Sequence, residues 1–296
     1  MKILIFGAKG QVGTSLVNAL KAIEDLSLCA LDREDCDFTD TQKIKEQISL
    51  IRPDLVINCC AYTAVDKAES DEITADLVNH TAMETIGKET HKLDAPVIHI
   101  STDYVYTGEA KEPYQETDET GPLSVYGKTK LLGDLSLTAS NAKHIILRTS
   151  WVFGEHGANF VKTMLRLSEG RDEINVVSDQ RGRPTYSGDI VASIVFFVEQ
   201  IRTKKAVNWG IYHCSSNGET NWYEFAVAIF AAAKVNGLIN KSMKVNPIPT
   251  SQYPTPAPRP LYSVLNTQKL EKTLGHKIPH WNIGLEKVLS FIKAEK

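Results

Sequence analysis

The sequence predicts an α/β fold: a Rossmann-type doubly wound parallel sheet, with a smaller, interleaved C-terminal α/β lobe. Two observations predict it. Short continuous apolar runs alternate with amphipathic stretches through the first half of the chain, the pattern of a parallel sheet covered on both faces. A glycine loop, Gly7-Ala8-Lys9-Gly10-Gln11-Val12-Gly13, joins the first apolar run to the first amphipathic stretch.

Taken in order, residues 2–6 read as a buried strand and 11–22 as a helix. A second strand, 26–31, ends at Asp32. A helix over 40–51 leads to a third strand, 54–57. A long polar-faced helix over 70–92 precedes a fourth strand, 96–100. A helix over 125–139 precedes a fifth, 144–147. Right-handed crossovers then wind helices onto both faces. The regularity weakens after Arg148. Helices are expected over 158–169, 190–201, 222–235 and 282–294, and strands over 174–177, 210–214 and from Lys244. Residues 1–150 form the expected nucleotide-binding lobe, with 186–203 packing back onto it. Residues 151–296 form the expected substrate lobe. The segment Tyr-Pro-Thr-Pro-Ala-Pro-Arg-Pro at 253–260 reads as a polyproline linker or as a fixed loop over a site. Its shortness and apolar flanks favour the loop.

Composition narrows the function classes. The chain has 296 residues, 42% hydrophobic and 23% charged, with a formal net charge of −3. No basic stripe points to nucleic acid or an anionic membrane, and no apolar run reaches transmembrane length. The five cysteines include no C-x-x-C pair, which favours a reducing compartment. Met1-Lys2 runs directly into the first strand with no leader pattern. The expectation is a soluble, cytoplasmic protein. His276 and His280 have a metal-like spacing, but Gly275 and Pro279 break any helix between them. No protein-built metal site is expected.

In the glycine loop, Gly7 permits a tight turn, Gly10 lets a pyrophosphate approach the backbone, and Gly13 lets helix and sheet pack closely. The helix start at Gln11 and Val12 offers free N–H groups to phosphates. Asp32 stands where a carboxylate accepts hydrogen bonds from an adenosine ribose, which favours NADH. Arg33 beside it suits the extra phosphate of NADPH, so the preference stays open. Asp37 and Phe38 stand where an adenine edge and face would sit, although Asp37 also suits a helix N-cap region. Ala61, Tyr62 and Thr63 follow the third strand, where backbone runs alongside a cofactor or merely turns into a helix. Tyr126 and Lys130 lie four residues apart on one helical face. An ammonium beside a phenol favours phenolate, so the pair suits proton transfer to a carbonyl oxygen as hydride arrives at its carbon.

The glycine loop, the strand end Ile100-Ser101-Thr102-Asp103-Tyr104 and the Tyr126/Lys130 pair resemble the extended short-chain dehydrogenase/reductases that act on nucleotide sugars. Residues 64–69 (AVDKAE), 147–151 (LRTSW), Asn159-Phe160, Asp179-Gln180 and Tyr253-Pro-Thr-Pro-Ala narrow the resemblance to the dTDP-4-dehydrorhamnose reductase family. The resemblance runs through nearly the whole chain and implies a dTDP-sugar substrate whose C4 keto group is reduced with NADPH or NADH. It implies Tyr126 as proton donor, Lys130 as its partner and as a ribose contact, and Thr102 as a hydroxyl near O4. Asp103, Trp151 and Arg259 become candidate contacts to sugar hydroxyls, to the hexose or base, and to the diphosphate. Capping, core packing and a surface position are the plainer readings of those three. Related dehydratases carry T-D-E after this strand, and Tyr104 stands here in place of that glutamate, which argues against elimination of water. Cys59-Cys60 and Tyr106 depart from the family's usual residues without touching a catalytic role. Some family members bind Mg²⁺ at a dimer contact, so a homodimer is an expectation of the resemblance alone. Two rivals remain: another nucleotide-sugar reductase or epimerase of this fold, and a non-catalytic subunit like the regulatory subunit of methionine adenosyltransferase.

Overall fold

The computed structural model describes residues 1–295; Lys296, the last residue of the expected substrate lobe, lies outside them. Six strands form one sheet in the order 210–213, 144–149, 97–102, 55–58, 2–6, 27–31. Every pairing in it is parallel. The order reverses at Lys2–Phe6, which pairs with Ser27–Leu31 on one side and Leu55–Asn58 on the other. The crevice beyond this strand's carboxyl end is therefore the expected ligand site.

Alternation along the strands divides the core in two, because successive side chains point to opposite faces. Ile3 and Ile5 face the helices Gln11–Lys21 and Ser187–Arg202, meeting Leu16, Leu20, Ile190, Ile194 and Phe197. Leu4 and Phe6 face the other layer, meeting Ile44, Ile48, Met83, Ile86 and Leu137. The helix Ser187–Arg202 therefore belongs spatially to the N-terminal sheet although it comes after the start of the second lobe in sequence.

That second lobe has its own core, in which Phe153, Val161, Phe225, Ile229, Trp281 and Val288 pack together. Its strands are short. Glu173–Val177 pairs in parallel with Lys244–Ile248, and Thr220–Asn221 pairs antiparallel with Arg181–Gly182.

One element differs from the sequence expectation. The helix expected over 70–92 is broken: Glu72–Asp76 is α-helical, Leu77–Thr81 is a π-turn, and Ala82–Lys92 resumes the α-helix. The wide turn turns Asn79 inward, where it is 1% exposed. Its Oδ1 accepts from the Tyr62 backbone N–H at 2.8 Å and its Nδ2 donates to Thr129 Oγ1 at 3.1 Å. A polar side chain at the centre of an amphipathic pattern carries no periodic signal, so the sequence reads straight through it.

Candidate active site

A cavity of about 910 Å³ opens along the carboxyl ends of the first, third, fourth and fifth strands. Its walls bring together Gly7, Gly10, Gln11, Val12, Asp32, Ala61, Thr63, Thr102, Asp103, Tyr126, Lys130 and Trp151. One end is the glycine loop. Gly7 has φ +77°, and a Cβ there would lie 2.8 Å from the Cys59 carbonyl carbon. A Cβ on Gly13 would lie 2.1 Å from the Gly7 carbonyl oxygen, so Gly13 is needed for packing and stands behind the cavity wall. At Gly10 a Cβ would meet only the Gly7 oxygen, at 3.2 Å, leaving its outer side open. Bare backbone at a helix start is what a diphosphate requires.

Asp32 is held by Lys9 in an ion pair. Its Oδ1 also accepts from the Glu34 N–H at 2.7 Å. The hydrogen bond from Lys9 keeps its carboxyl below the usual range. Arg33 and Lys9 both line this end of the cavity. Local charge here is thus two carboxylates, Asp32 and Glu34, that share Lys9, plus a further arginine.

The other end holds the polar side chains. Ser124 caps the helix Val125–Ser140, accepting from the Gly127 N–H at 3.2 Å, and this start places Tyr126 against the fourth strand's end. Tyr104 packs edge-on against Tyr126, with ring centroids 5.5 Å apart. Burial pushes the Tyr126 phenol up to about 12, and the Thr102 hydroxyl pulls weakly the other way. The expected lowering by Lys130 is not found. Desolvation dominates, and Lys130 is itself buried, with burial pushing its pKa down to about 8. Lys130 Nζ donates to the Ile100 carbonyl at 2.7 Å and lies 3.0 Å from His99 Nε2. Tyr126 is thus a protonated phenol in this setting, the form a reductase consumes.

Thr102 Oγ1 donates to Asp103 Oδ1 at 3.1 Å. Asp103 Oδ2 and Thr149 Oγ1 are buried on this wall without any hydrogen-bond partner. Unpaired buried polar atoms are costly, and both residues belong to the cavity lining. Burial pushes the Asp103 carboxyl up to about 6.

Trp151 forms the far wall with Trp222; the two indoles stack at 3.7 Å with planes 12° apart. Trp151 has φ +47°, a left-handed backbone that costs a non-glycine residue about 1–2 kcal/mol. The stacking and close contact with Gly182 offset it. A Cβ on Gly182 would lie 2.6 Å from Trp151 Cε2.

Besides Gly13, four sequence candidates lie off the cavity wall. Phe38 is 3% exposed and packs edge-on against Phe6 in the core, 5.0 Å between centroids. Asp37 accepts from the Thr39 N–H and hydroxyl, both at 2.9 Å. Tyr62 donates its hydroxyl to Asp71 at 2.9 Å. Arg259 pairs with Asp66 at 2.8 Å and lies over the Tyr104 ring at 6.0 Å. The proline-rich segment thereby straps onto the 64–69 turn, and the Ala257 N–H adds a 3.3 Å bond to Asp66. Sequence reasoning missed Trp222, which no local pattern marks, and also Asn58 and His99. Those two carried a signal: each is a polar residue inside an otherwise apolar strand, Leu-Val-Ile-Asn and Val-Ile-His-Ile.

Among the described residues no group of His, Cys, Asp and Glu gathers that could hold a metal ion, and no helix is long and apolar enough to cross a membrane.

Comparison with known proteins places this geometry. Residues 1–293 match the family model described as the RmlD substrate binding domain. The chain is 42% identical to the dTDP-4-dehydrorhamnose reductase of Escherichia coli K12 over 292 residues, 98% of this chain and 97% of that one. The crystal structure of a dTDP-4-dehydrorhamnose reductase from Clostridium acetobutylicum is 38% identical, with a TM-score of 0.91 over 99% of this chain and 100% of the other. The Bacillus anthracis dTDP-4-dehydrorhamnose reductase, solved in complex with NADP, is 34% identical with a TM-score of 0.87 over 98% of each chain.

Two outcomes follow from the site's packing and charge. Asp103 titrates higher in the folded chain than in the unfolded one, so its burial penalty is present above about pH 6 and absent below about pH 4. Asp103→Asn should therefore be more stable than the parent near neutral pH by up to about 2–3 kcal/mol, with the gain vanishing below about pH 4. Denaturant titrations across that range check the sign. Gly182→Ala should push the Trp151 indole aside at a cost of about 1–3 kcal/mol. It should raise the KM for the sugar nucleotide and leave dinucleotide affinity, read by fluorescence titration, unchanged.

Proposed function

Because the chain belongs to the dTDP-4-dehydrorhamnose reductase family, we propose that it reduces the C4 keto group of dTDP-4-dehydro-β-L-rhamnose with NAD(P)H, giving dTDP-L-rhamnose. The observation that carries this reading is the meeting, in one cavity, of a bare glycine loop at one end and a protonated, buried Tyr126 beside Thr102 at the other. The cofactor, when bound, supplies the hydride to C4.

The remaining work belongs to the protein. The loop at Gly7 and Gly10, with the helix start at Gln11 and Val12, binds the dinucleotide diphosphate. Ala61 and Thr63 line its path. Lys130 has spent one donor on Ile100 and is in contact with His99, so one N–H is left for a ribose hydroxyl. Oxyanion character grows on O4 as hydride arrives, and the Tyr126 hydroxyl proton moves to it. Thr102 Oγ1 hydrogen-bonds O4 or the phenol and steadies that geometry. Asp103 Oδ2 accepts from a sugar hydroxyl. The Trp151 and Trp222 wall covers the hexose or the base. Residues 1–150 with 186–203 hold the cofactor, and the remaining residues from 151 hold the sugar nucleotide. We assign Arg259, because Asp66 already holds it, to fastening the proline-rich strap and not to the diphosphate. Lys9 pairs with both Asp32 and Glu34, and Arg33 adds positive charge beside them; this balance admits NADPH as well as NADH. The five free cysteines suit a reducing compartment, and we place the reaction in the cytoplasm.

Oxidation of NAD(P)H by the purified protein, followed with the 4-keto sugar nucleotide, tests the reading; turnover of a different keto sugar only, or of none, would overturn it. Tyr126→Phe should lose about 100- to 10,000-fold in kcat while binding NAD(P)H normally, and near-parental turnover would remove its role as proton donor. Arg33→Ala should raise the KM for NADPH about tenfold and leave that for NADH unchanged; equal effects on both would refute the assignment.

A further inference from the structure

Lys130 is 1% exposed, and the chain of contacts behind it is fully buried. The chain begins at a fixed donor. The Cys60 backbone N–H lies 2.9 Å from Asn58 Oδ1. Only an acceptor can stand there, so the Asn58 amide has one orientation. Its Nδ2 then points its hydrogens at Met83 Sδ, 2.9 Å away, and at His99 Nδ1, 3.1 Å away. His99 Nδ1 must accept, so the imidazole proton sits on Nε2. That Nε2–H faces Lys130 Nζ at 3.0 Å. Two N–H donors at that distance repel. A lone pair on Lys130 turns the same contact into a hydrogen bond.

We infer that His99 is a positioning residue for the reduction: its tautomer, set by Asn58, presents an N–H to Lys130 and favours the free amine of that lysine over its ammonium in the cofactor-free site. This deepens the reading of Tyr126 and Lys130 given above and rests on it.

Burial of Lys130 lowers its pKa and outweighs Asp134, which favours the ammonium. On its own helix, Asp134 Oδ2 already accepts from Arg148 Nε of the fifth strand at 3.1 Å and from the Ser101 hydroxyl at 2.9 Å. One buried carboxylate is thus matched by one buried guanidinium, and an ammonium at Lys130 would add an unmatched charge. Asp134 Oδ1 lies 3.9 Å from His99 Nε2, outside hydrogen-bond reach. At the end of the third strand, burial pushes the Cys60 thiol up to about 11, so it is neutral. Tyr126, on the same helix, is a neutral phenol. Asp103, at the end of the fourth strand, stays within the cavity wall and its carboxyl is pushed up by burial. Burial holds His99 well below its ordinary range, with Lys130 acting in the same direction, so an imidazolium is excluded as the alternative. An ammonium weakened in this way leaves the proton on Tyr126, where reduction uses it.

The tautomer is read directly by long-range ¹H–¹⁵N correlation on the cofactor-free, ¹⁵N-histidine-labelled protein, with the His99 signals identified by their loss in His99→Gln. A bare Nδ1 and a protonated Nε2 are expected; a proton on Nδ1, or on both nitrogens, overturns the inference. Asn58→Asp supplies the inverse. Its carboxylate still accepts from the Cys60 N–H but now demands a proton on His99 Nδ1, which frees Nε2 to accept from an ammonium. The His99 pattern should switch, and the pH limb of kcat/KM set by Lys130 should rise by about one unit or more. A folded Asn58→Asp protein with an unchanged tautomer overturns the control by Asn58. The spectra need no turnover, so a chain with the expected tautomer and no sugar reduction would cost the functional reading alone.

Discussion

Burying one lysine between the fourth strand and the helix Val125–Ser140 is the constraint around which this site is built. An ammonium or amine with no access to water needs every hydrogen accounted for. The Ile100 carbonyl and the His99 ring meet that need from the strand. The strand must therefore run in a fixed register beside the helix, and Asp134 fixes that register from the helix side through Ser101 and Arg148. Arg148 in turn donates to Tyr106 at 2.8 Å, and Tyr106 bonds His213 at 2.7 Å. The polar column thus crosses the sheet from its fourth strand to its outer sixth. Each member is buried and each side chain has a partner, although Asp134 Oδ1 is left without one. A satisfied buried network of this kind specifies one arrangement more sharply than apolar packing does.

Much of the fold was legible because its signals are local. Strands buried on both faces are continuously apolar, and Lys2–Phe6 or Val97–Thr102 can hardly be read otherwise. The glycine loop is legible because backbone geometry restricts residue type at Gly7 and Gly13. What stayed hidden depends on contacts between distant segments. The π-turn at Leu77–Thr81 exists to satisfy Tyr62 and Thr129, and neither neighbour is visible from the helix's own periodicity. Asp37 and Phe38 show the opposite failure. Spacing after the second strand suits ligand contact, but Phe38 gains more from the core beside Phe6, and Asp37 closes its own turn.

The Tyr126/Lys130 pair illustrates how burial changes a sequence argument. Spacing alone suggests that an ammonium lowers the phenol. In three dimensions both groups lose their water, and desolvation acts on each toward its neutral form. Tyr126 then stays a neutral phenol, and Lys130, pushed down to about 8, is a far weaker counter-charge than a solvated ammonium. For a site that begins its cycle by giving a proton away, that is the useful resting condition.

Gln11 joins the two lobes through both ends of one side chain. Its Nε2 donates to the Val152 carbonyl at 3.3 Å and its Oε1 accepts from Asn159 at 2.8 Å, while its backbone opens the helix that follows the glycine loop. In mechanical terms it is a tie rod. A load that draws the phosphate-binding turn inward is transmitted through it to the 152–159 segment, and so to the shelf on which Trp151 rests. The width of the sugar's chamber and the seat of the dinucleotide are therefore set by a common strut.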